Sequence, residues 1–328
     1  MNLLGGSGVP VSALSFGAAG IGNLFTEVTD EQAYEAVDAA WTSGIRYFDT
    51  APHYGLGLSE QRLGEALRDR PRAEYTVSTK VGRLLEPVEA GGDDLADGFA
   101  VPATHHRVWD FSADGVRRSL DASLGRLGLD RVDVVYLHDP DDHAGQAFRE
   151  GYPALEKLRS QGVVGAIGAG MNQTDMLTRF VRETDVDVVL CAGRYTLLDQ
   201  GALTELLPAA QDRGTSVIIG GAFNSGLLAD PRPGATYNYT VAGGELLDRA
   251  LRLKEIAERH GTTLRAAALA FPAAHPAVVS VLAGARSAAE VRDCARQFAE
   301  PVPPEFWQEL HAEGLLPVTT PLPGRELP

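Results

Sequence analysis

Eight short apolar runs, each followed by a helical pattern, constrain this 328-residue chain more than any other feature it has. They read "ALSFGA", "YFDTA", "YTVSTKV", "VDVVYLH", "VGAIGAG", "VDVVLCA", "SVIIGGA" and "VVSVLAG". Runs this continuously hydrophobic suit parallel strands covered on the outside, not strands with one wet face. The stretches between them carry helix punctuation. "TDEQAYEAVDAAWTSG", for example, opens with Thr29 as a cap and an acidic first turn and stops at Gly44. Alternation of this kind predicts an α/β fold, a (β/α)8 TIM barrel with long loops at the carboxyl face. A doubly wound sheet competes, but it wants a G-x-G-x-x-G after its first strand, and "FGAAGIGN" does not supply one.

No linker or low-complexity block interrupts the pattern, so residues 1–328 are read as one domain. Three connections are unusually long, residues 83–111, 139–150 and 223–243, and all follow strands. In a barrel they gather at the carboxyl face, where long ordered loops carry binding function. The proline-rich tail beyond Ala299 holds one short helix near Glu305 to His311.

A formal charge of −15 argues against nucleic acid and anionic membrane surfaces as partners. No run approaches a membrane span, and the amino terminus lacks a basic start, so no signal peptide is read. Cys191 and Cys294 stand alone, which disfavours zinc or a disulfide framework and places the chain in a reducing cytoplasm. "HDPDDH" reads as a solvated acidic loop, and no metal site is expected.

The barrel reading makes a sharp statement about polar side chains. Asp49 ends the second strand, Lys80 the third and His138 the fourth, with Tyr54 in the turn just beyond Asp49. Singly, each is as well explained as a polar strand end. Together, on successive neighbouring strands, they fit proton transfer coupled to hydride transfer. A lysine ammonium favours a nearby phenolate and lowers its pKa, and an aspartate keeps the lysine charged against burial. Tyr54 then acts as general acid or base while His138 donates to the substrate oxygen. No side chain carries hydride, so a nicotinamide cofactor must.

"GIRYFDTAPHYGLGLSEQRLGEAL", with Asp49, Tyr54, Lys80 and His138 in order, resembles the aldo-keto reductase family, and the likeness runs to "VLAGARSAAEVRDC". The resemblance implies a barrel that binds extended NAD or NADP at its carboxyl face. It assigns Asn172 to the carboxamide and Phe223, Asn224, Ser225, Gly226 and Leu227 to a turn around the pyrophosphate. Gly20, Gly284, Arg286, Ser287 and Glu290 fall to the remaining cofactor contacts. Two positions depart from the family pattern: Ala192 replaces a glutamine, and Gly220 the tyrosine that stacks on nicotinamide, so Phe223, Tyr195 or another group must cover the ring. Arg286 and Ser287 suit a 2′-phosphate while Glu290 repels one, and NAD is preferred.

Within the family, "APHYGLGLSE", "YLHDPDDH", "AGRYTLLDQ" and "GGAFNSG" look most like sugar and pyridoxal dehydrogenases, which oxidise a cyclic hemiacetal to a lactone. Asp141, Asp142 and His53 are candidates for polar contacts to such a substrate. Trp109 either provides an apolar platform or simply leads into the third helix. The expected partner is a small carbonyl or sugar, and the expected state a monomer or small homo-oligomer. The alternatives are a general NADPH-dependent aldehyde or ketone reductase and, from another class, a non-catalytic cofactor-sensing regulatory subunit.

Overall fold

All eight apolar runs become strands, and the strands close on one another. In the computed structural model, which describes residues 1–89 and 91–323, they are β1 (Leu14–Gly17), β2 (Tyr47–Asp49), β3 (Thr76–Val81), β4 (Val134–His138), β5 (Ala166–Met171), β6 (Val188–Ala192), β7 (Ser216–Gly220) and β8 (Val278–Gly284). Each pairs in parallel with the next, and β8 pairs with β1. The architecture is a closed (β/α)8 barrel.

The helices start and stop where their caps dictate. Thr29 and Gln32 form a reciprocal capping box on α1 (Asp30–Thr42), and Ser112 caps α3 (Ala113–Leu127). Between these, α2 (Leu58–Leu67) packs so closely on α3 that a Cβ on Gly64 would fall 1.9 Å from the Leu127 carbonyl oxygen. The next three are α4 (Tyr152–Ser160), α5 (Thr174–Glu183) and α6 (Leu206–Arg213). After β7 come α7 (Gly244–Arg259) and α8 (Leu264–Ala270), then α9 (Ala288–Ala299) and α10 (Pro304–Ala312) after β8. The sequence pattern did not announce α8, an alanine-rich run of one apolar character whose start signal is the Thr263 cap. Among the described residues, no helix is long and apolar enough to cross a membrane.

Register decides what meets at the mouth. Gly17 lies opposite Asp49, Asp49 opposite Ser78, Lys80 opposite Tyr136, and His138 opposite Gly170. Alternate residues of a barrel strand point inward. Asp49, Lys80 and His138 therefore point into the barrel near the carboxyl ends of their strands, and Tyr47, Ser78 and Tyr136, each two residues earlier on its strand, point inward with them. Further down, a short antiparallel ribbon (Asn2–Leu3 with Pro10–Val11) covers the floor, and its neighbours Leu4 and Val11 are fully buried with Val134, Ala166 and Val188.

Two of the long connections are more ordered than loops. In residues 83–111, Arg83–Pro87 pairs with His105–Trp109, and Asp93–Asp94 with Phe99–Pro102. Trp109 thus ends a ribbon strand and does not begin α3. In residues 223–243, a small hairpin joins Thr236–Tyr237 to Thr240–Val241.

Candidate functional site

The turn after β2 is held by backbone geometry that few residues adopt. Gly55, Leu56 and Gly57 all have positive φ, and a Cβ on Gly55 would lie 2.2 Å from the Gly22 oxygen. This turn fixes Tyr54, whose N–H donates to the Ala51 carbonyl and whose own carbonyl accepts from Ser59. Opposite it, Lys80 Nζ donates to Asp49 Oδ2 at 2.6 Å, to the Thr50 carbonyl at 3.0 Å and to Tyr54 Oη at 3.0 Å. Three acceptors match the three donors of an ammonium.

The Lys80 and Asp49 side chains are each 2% exposed. Burial pulls the Lys80 ammonium down, but Asp49 and Tyr54 outweigh it and leave its pKa above the usual lysine value. For Tyr54 the balance differs from the sequence expectation. Lys80 does pull the phenol down, but burial is larger, and with the Asp49 charge it leaves Tyr54 pushed up to about 12. His138 stands with its ring 5.9 Å from that of Tyr54 and nearly perpendicular to it. Burial, then the charges of Arg83 and Lys80, hold it well below the usual histidine range, so it is neutral at physiological pH. Its Nδ1 is buried with no partner among the described residues.

His53 packs 5.7 Å from the His138 ring. Arg107 Nε donates to His53 Nδ1 at 2.6 Å, which fixes the neutral tautomer with its proton on Nε2. Burial and the neighbouring cations lower His53 to about 2. Arg107 is itself held by Asp94, at 2.6 and 2.7 Å, and by Asp97. Sequence reading missed this ribbon-borne clamp.

Next to Arg83 and Asp139, and lined by none of Asp49, Tyr54, Lys80 and His138, opens a cavity of 240 Å³. Trp109, Asp141, Asp142 and Asn172 all line it, together with Arg83, Asp139, His143 and Gln173. Trp109 stacks on His143 with centroids 5.1 Å apart and carries the Arg83 guanidinium 4.3 Å from its ring centre. Arg83 is ion-paired with Asp139, whose carboxylate lies 3.6 Å from His138 Nε2. Asp139 has a φ of 42°, an unusual conformation for a non-glycine residue. Arg83 and Asp139 were not foreseen, although each directly extends a strand that ends in a singled-out residue. Asp141 Oδ1 is buried without a partner among the described residues. No group of three His, Cys, Asp or Glu among the described residues could hold a metal.

The other side of the mouth is made of small residues and turns. A Cβ on Gly20 would sit 2.7 Å from the Ala285 oxygen, so that glycine lets the β1 and β8 loops touch. Gly284 pairs with Gly17 at the strand ends. Ser287 caps α9, while Glu290 accepts from both the Arg286 backbone and its guanidinium, at 3.0 and 3.1 Å. In the turn after β7, Asn224, Ser225 and Gly226 all have positive φ, Leu227 is buried and Phe223 is half-buried. The N–H groups of Asn224, Gly226 and Leu227 donate within that turn, so the cradle expected from them is already in use by the fold. Asn224 Nδ2 holds the Gly193 carbonyl, and its buried Oδ1 has no partner among the described residues. Tyr195 is fully buried against Phe271 and does not reach the mouth. Tyr239 does. It sits at the hairpin tip, 63% exposed, with its ring 5.7 Å from Phe25 across the opening. Its phenol lies close enough to the inner wall to feel the charges of Asp139 and Lys80.

An orphaned Asn224 Oδ1 beyond β7 and small residues at two strand ends leave this half of the mouth open. The aldo/keto reductase family model matches residues 13–313. The chain is 46% identical over 317 residues to D-threo-aldose 1-dehydrogenase from Pseudomonas sp., covering 95% of this chain and 96% of that one. It is 40% identical to pyridoxal 4-dehydrogenase from Microbacterium luteolum, over 95% of this chain and 97% of that protein. An aldo-keto reductase from Bacillus halodurans, solved in a holo form, superimposes with a TM-score of 0.75 at 28% identity, covering 99% of each chain.

Proposed function

Because this chain belongs to the aldo/keto reductase family and is an oxidoreductase of the nicotinamide-using kind, we propose that it oxidises the hemiacetal carbon of an aldose, or a similar cyclic polyol, to the lactone. The observation that carries this reading is the Asp49–Lys80–Tyr54 cluster, bonded at 2.6 and 3.0 Å, with a polar cavity next to Arg83 and Asp139 that has one aromatic wall. A polyol ring needs several hydrogen-bond partners and an apolar face. Arg83, Asp141 and Asp142 provide the partners and Trp109 the face. The aldose and pyridoxal activities named for the two relatives support the same substrate class.

In the proposed oxidation, neutral His138 donates to the substrate oxygen and fixes it near Tyr54 Oη. Tyr54 takes the hydroxyl proton in its ionised form, a minor form in the empty site because burial raises its pKa, and one that the Lys80 ammonium favours. Lys80 stays charged because Asp49 holds it. As the proton leaves, the O–H bonding pair forms the new C=O and the same carbon releases hydride with its C–H pair; an oxidised nicotinamide, when bound, would supply the acceptor for that hydride. Asn172, Asn224 and Ser225 are the side chains assigned to hold that cofactor, with Tyr239 or Phe223 covering the ring where Gly220 leaves space. NAD is preferred over NADP: Glu290 already occupies Arg286 and adds a carboxylate where a 2′-phosphate needs cations. The proposed location is the cytoplasm.

The test is formation of reduced nicotinamide against a panel of L-fucose, D-arabinose, L-galactose, L-rhamnose, pyridoxal and D-glucose, each with NAD and with NADP. Selective turnover of a cyclic substrate with NAD is expected. Silence across the panel, with NADPH-driven reduction of nitrobenzaldehyde, would replace this reading with a general reductase.

A further inference from the structure

Below the Asp49–Lys80 pair, three hydroxyls run in line into the barrel. Ser78 Oγ donates to Asp49 Oδ1 at 2.7 Å. Tyr47 Oη lies 2.8 Å from Ser78 Oγ, and Tyr136 Oη lies 3.0 Å from Tyr47 Oη. All three residues are 0% exposed.

With Asp49 ionised beside the Lys80 ammonium, the direction of this chain is fixed. A hydroxyl has one proton, and a carboxylate can only accept. Ser78 spends its proton on Asp49, so Tyr47 must donate to Ser78, and Tyr136 must then donate to Tyr47. Every bond points toward Asp49. Nor does the chain conduct protons from water: around Tyr47 and Tyr136 lie Leu4, Val11, Val134, Ala166 and Val188, all fully buried. A Cβ on Gly168 would fall 1.8 Å from the Val188 carbonyl oxygen and 3.3 Å from the Tyr136 ring, so the strands close tightly beside the tyrosine. Two phenylalanines would fill nearly the same volume without burying hydroxyls, which is costly unless they are bonded. The hydroxyls therefore need a reason beyond packing.

We infer that Ser78, Tyr47 and Tyr136 are positioning residues, a one-way donor chain that keeps Asp49 ionised and its Oδ2 turned to Lys80. In a dry site, a lysine–aspartate pair can neutralise itself by passing the proton from Nζ to the carboxylate, and Tyr54 would then lose its cation. A donor on Oδ1 favours the carboxylate form, and each hydroxyl behind it strengthens the donor in front. The catalytic consequence rests on the proposed role of Tyr54. The ionic state of Lys80 does not.

The experiment separates the two. The sequence has only three lysines, Lys80, Lys157 and Lys254, so isotope-labelled lysine gives a side-chain NMR spectrum simple enough to assign with a Lys80→Met control. Ser78→Ala, Tyr47→Phe and Tyr136→Phe are compared with the parent chain in the ammonium signal of Lys80, in the pH profile of kcat/KM and in Tm. In Ser78→Ala the Lys80 signal should move toward the neutral amine and the oxidation limb toward higher pH, with about ten-fold lower kcat/KM at neutral pH. Tyr47→Phe should show less, Tyr136→Phe least, and the double tyrosine variant no more than Tyr47→Phe, because breaking the chain at Tyr47 disconnects Tyr136. The isosteric tyrosine variants keep the test open if Ser78→Ala folds poorly. A Lys80 signal and pH limb unchanged in folded variants, or tyrosine effects that simply add, would overturn the inference. A parent chain inactive on every substrate, with the graded Lys80 response intact, would uphold the donor chain and sink the reading of Tyr54.

Discussion

The two halves of the barrel mouth are built from opposite materials. Around β2, β3 and β4 the wall is charged and crowded: Asp49, Lys80, His138, Arg83, Asp139 and the Arg107 clamp on His53 bond to one another with little freedom. Around β6 to β8 the rim is Ala192, Gly220, Gly221 and Gly284, with left-handed turns beyond it. One half presents preorganised charge, which matters most in a water-poor site. The other presents room, and its affinity must come from where backbone and turns are placed. Substitutions should therefore damage chemistry on the first side and binding on the second.

The largest effect is expected from Lys80→Met. It removes the cation beside Tyr54 and leaves Asp49 buried without its partner. Steady-state assays should show about a ten-thousand-fold loss of kcat/KM, and urea unfolding a loss of about 3–5 kcal/mol. Tyr54→Phe should cost about a thousand-fold in kcat with an unchanged melting curve, which separates chemistry from stability on the same wall.

Acid should loosen that wall, and with it the base of β8, where burial holds His275 at about 4. His53 is held at about 2 and His138 well below its usual range, in both cases first by burial. Because their folded pKa values are depressed, the unfolded chain binds protons first. Their stability contribution is present above the unfolded pKa of about 6.5 and is lost as pH falls, by up to about 1.4 kcal/mol per unit for each histidine. Calorimetry between neutral pH and about pH 5 should show Tm falling, and hydrogen exchange should rise in the ribbon that carries Arg107.

On the open side, Gly20→Ala should push the β1 and β8 loops apart and weaken dinucleotide binding about ten-fold, measured by nucleotide fluorescence, with kcat retained. The smallest change is expected from Glu290→Gln. Freeing Arg286 should raise the NADP-to-NAD ratio of kcat/KM about three-fold. A loss of kcat from Gly20→Ala equal to the loss in binding would erase the distinction between the halves.

Legibility in the sequence follows the same divide. The strands were readable because parallel strands buried on both faces must be apolar throughout, and the polar interruptions Asp49, Lys80 and His138 stood out against that background. Tyr47, Ser78 and Tyr136 were readable by the same logic, since each lies two residues before one of those three and so points inward with it. They were overlooked because tyrosine and serine look ordinary in a strand. Arg83 and Arg107 were hidden for a different reason. Their ribbon lies in a stretch of mixed polarity, and its pairing depends on contacts between residues 18 to 26 positions apart. The strained backbone of Asp139 and the placement of Tyr239 at a hairpin tip leave no periodic trace at all. Glycines gave the least warning: Gly20 and Gly64 matter for what sits beside them in space, which the chain does not record locally.

The apolar ribbon beneath the barrel has a kinetic consequence. With Leu4 and Val11 sealing the floor, the barrel has one door. On the proposed function, substrate and nucleotide would queue at the same opening, the one that lies deeper entering first and leaving last. Turnover should then follow a compulsory order of arrival and departure, and the pace of a full cycle can be set by traffic at the rim between Phe25 and Tyr239 as readily as by the proton and hydride that move inside.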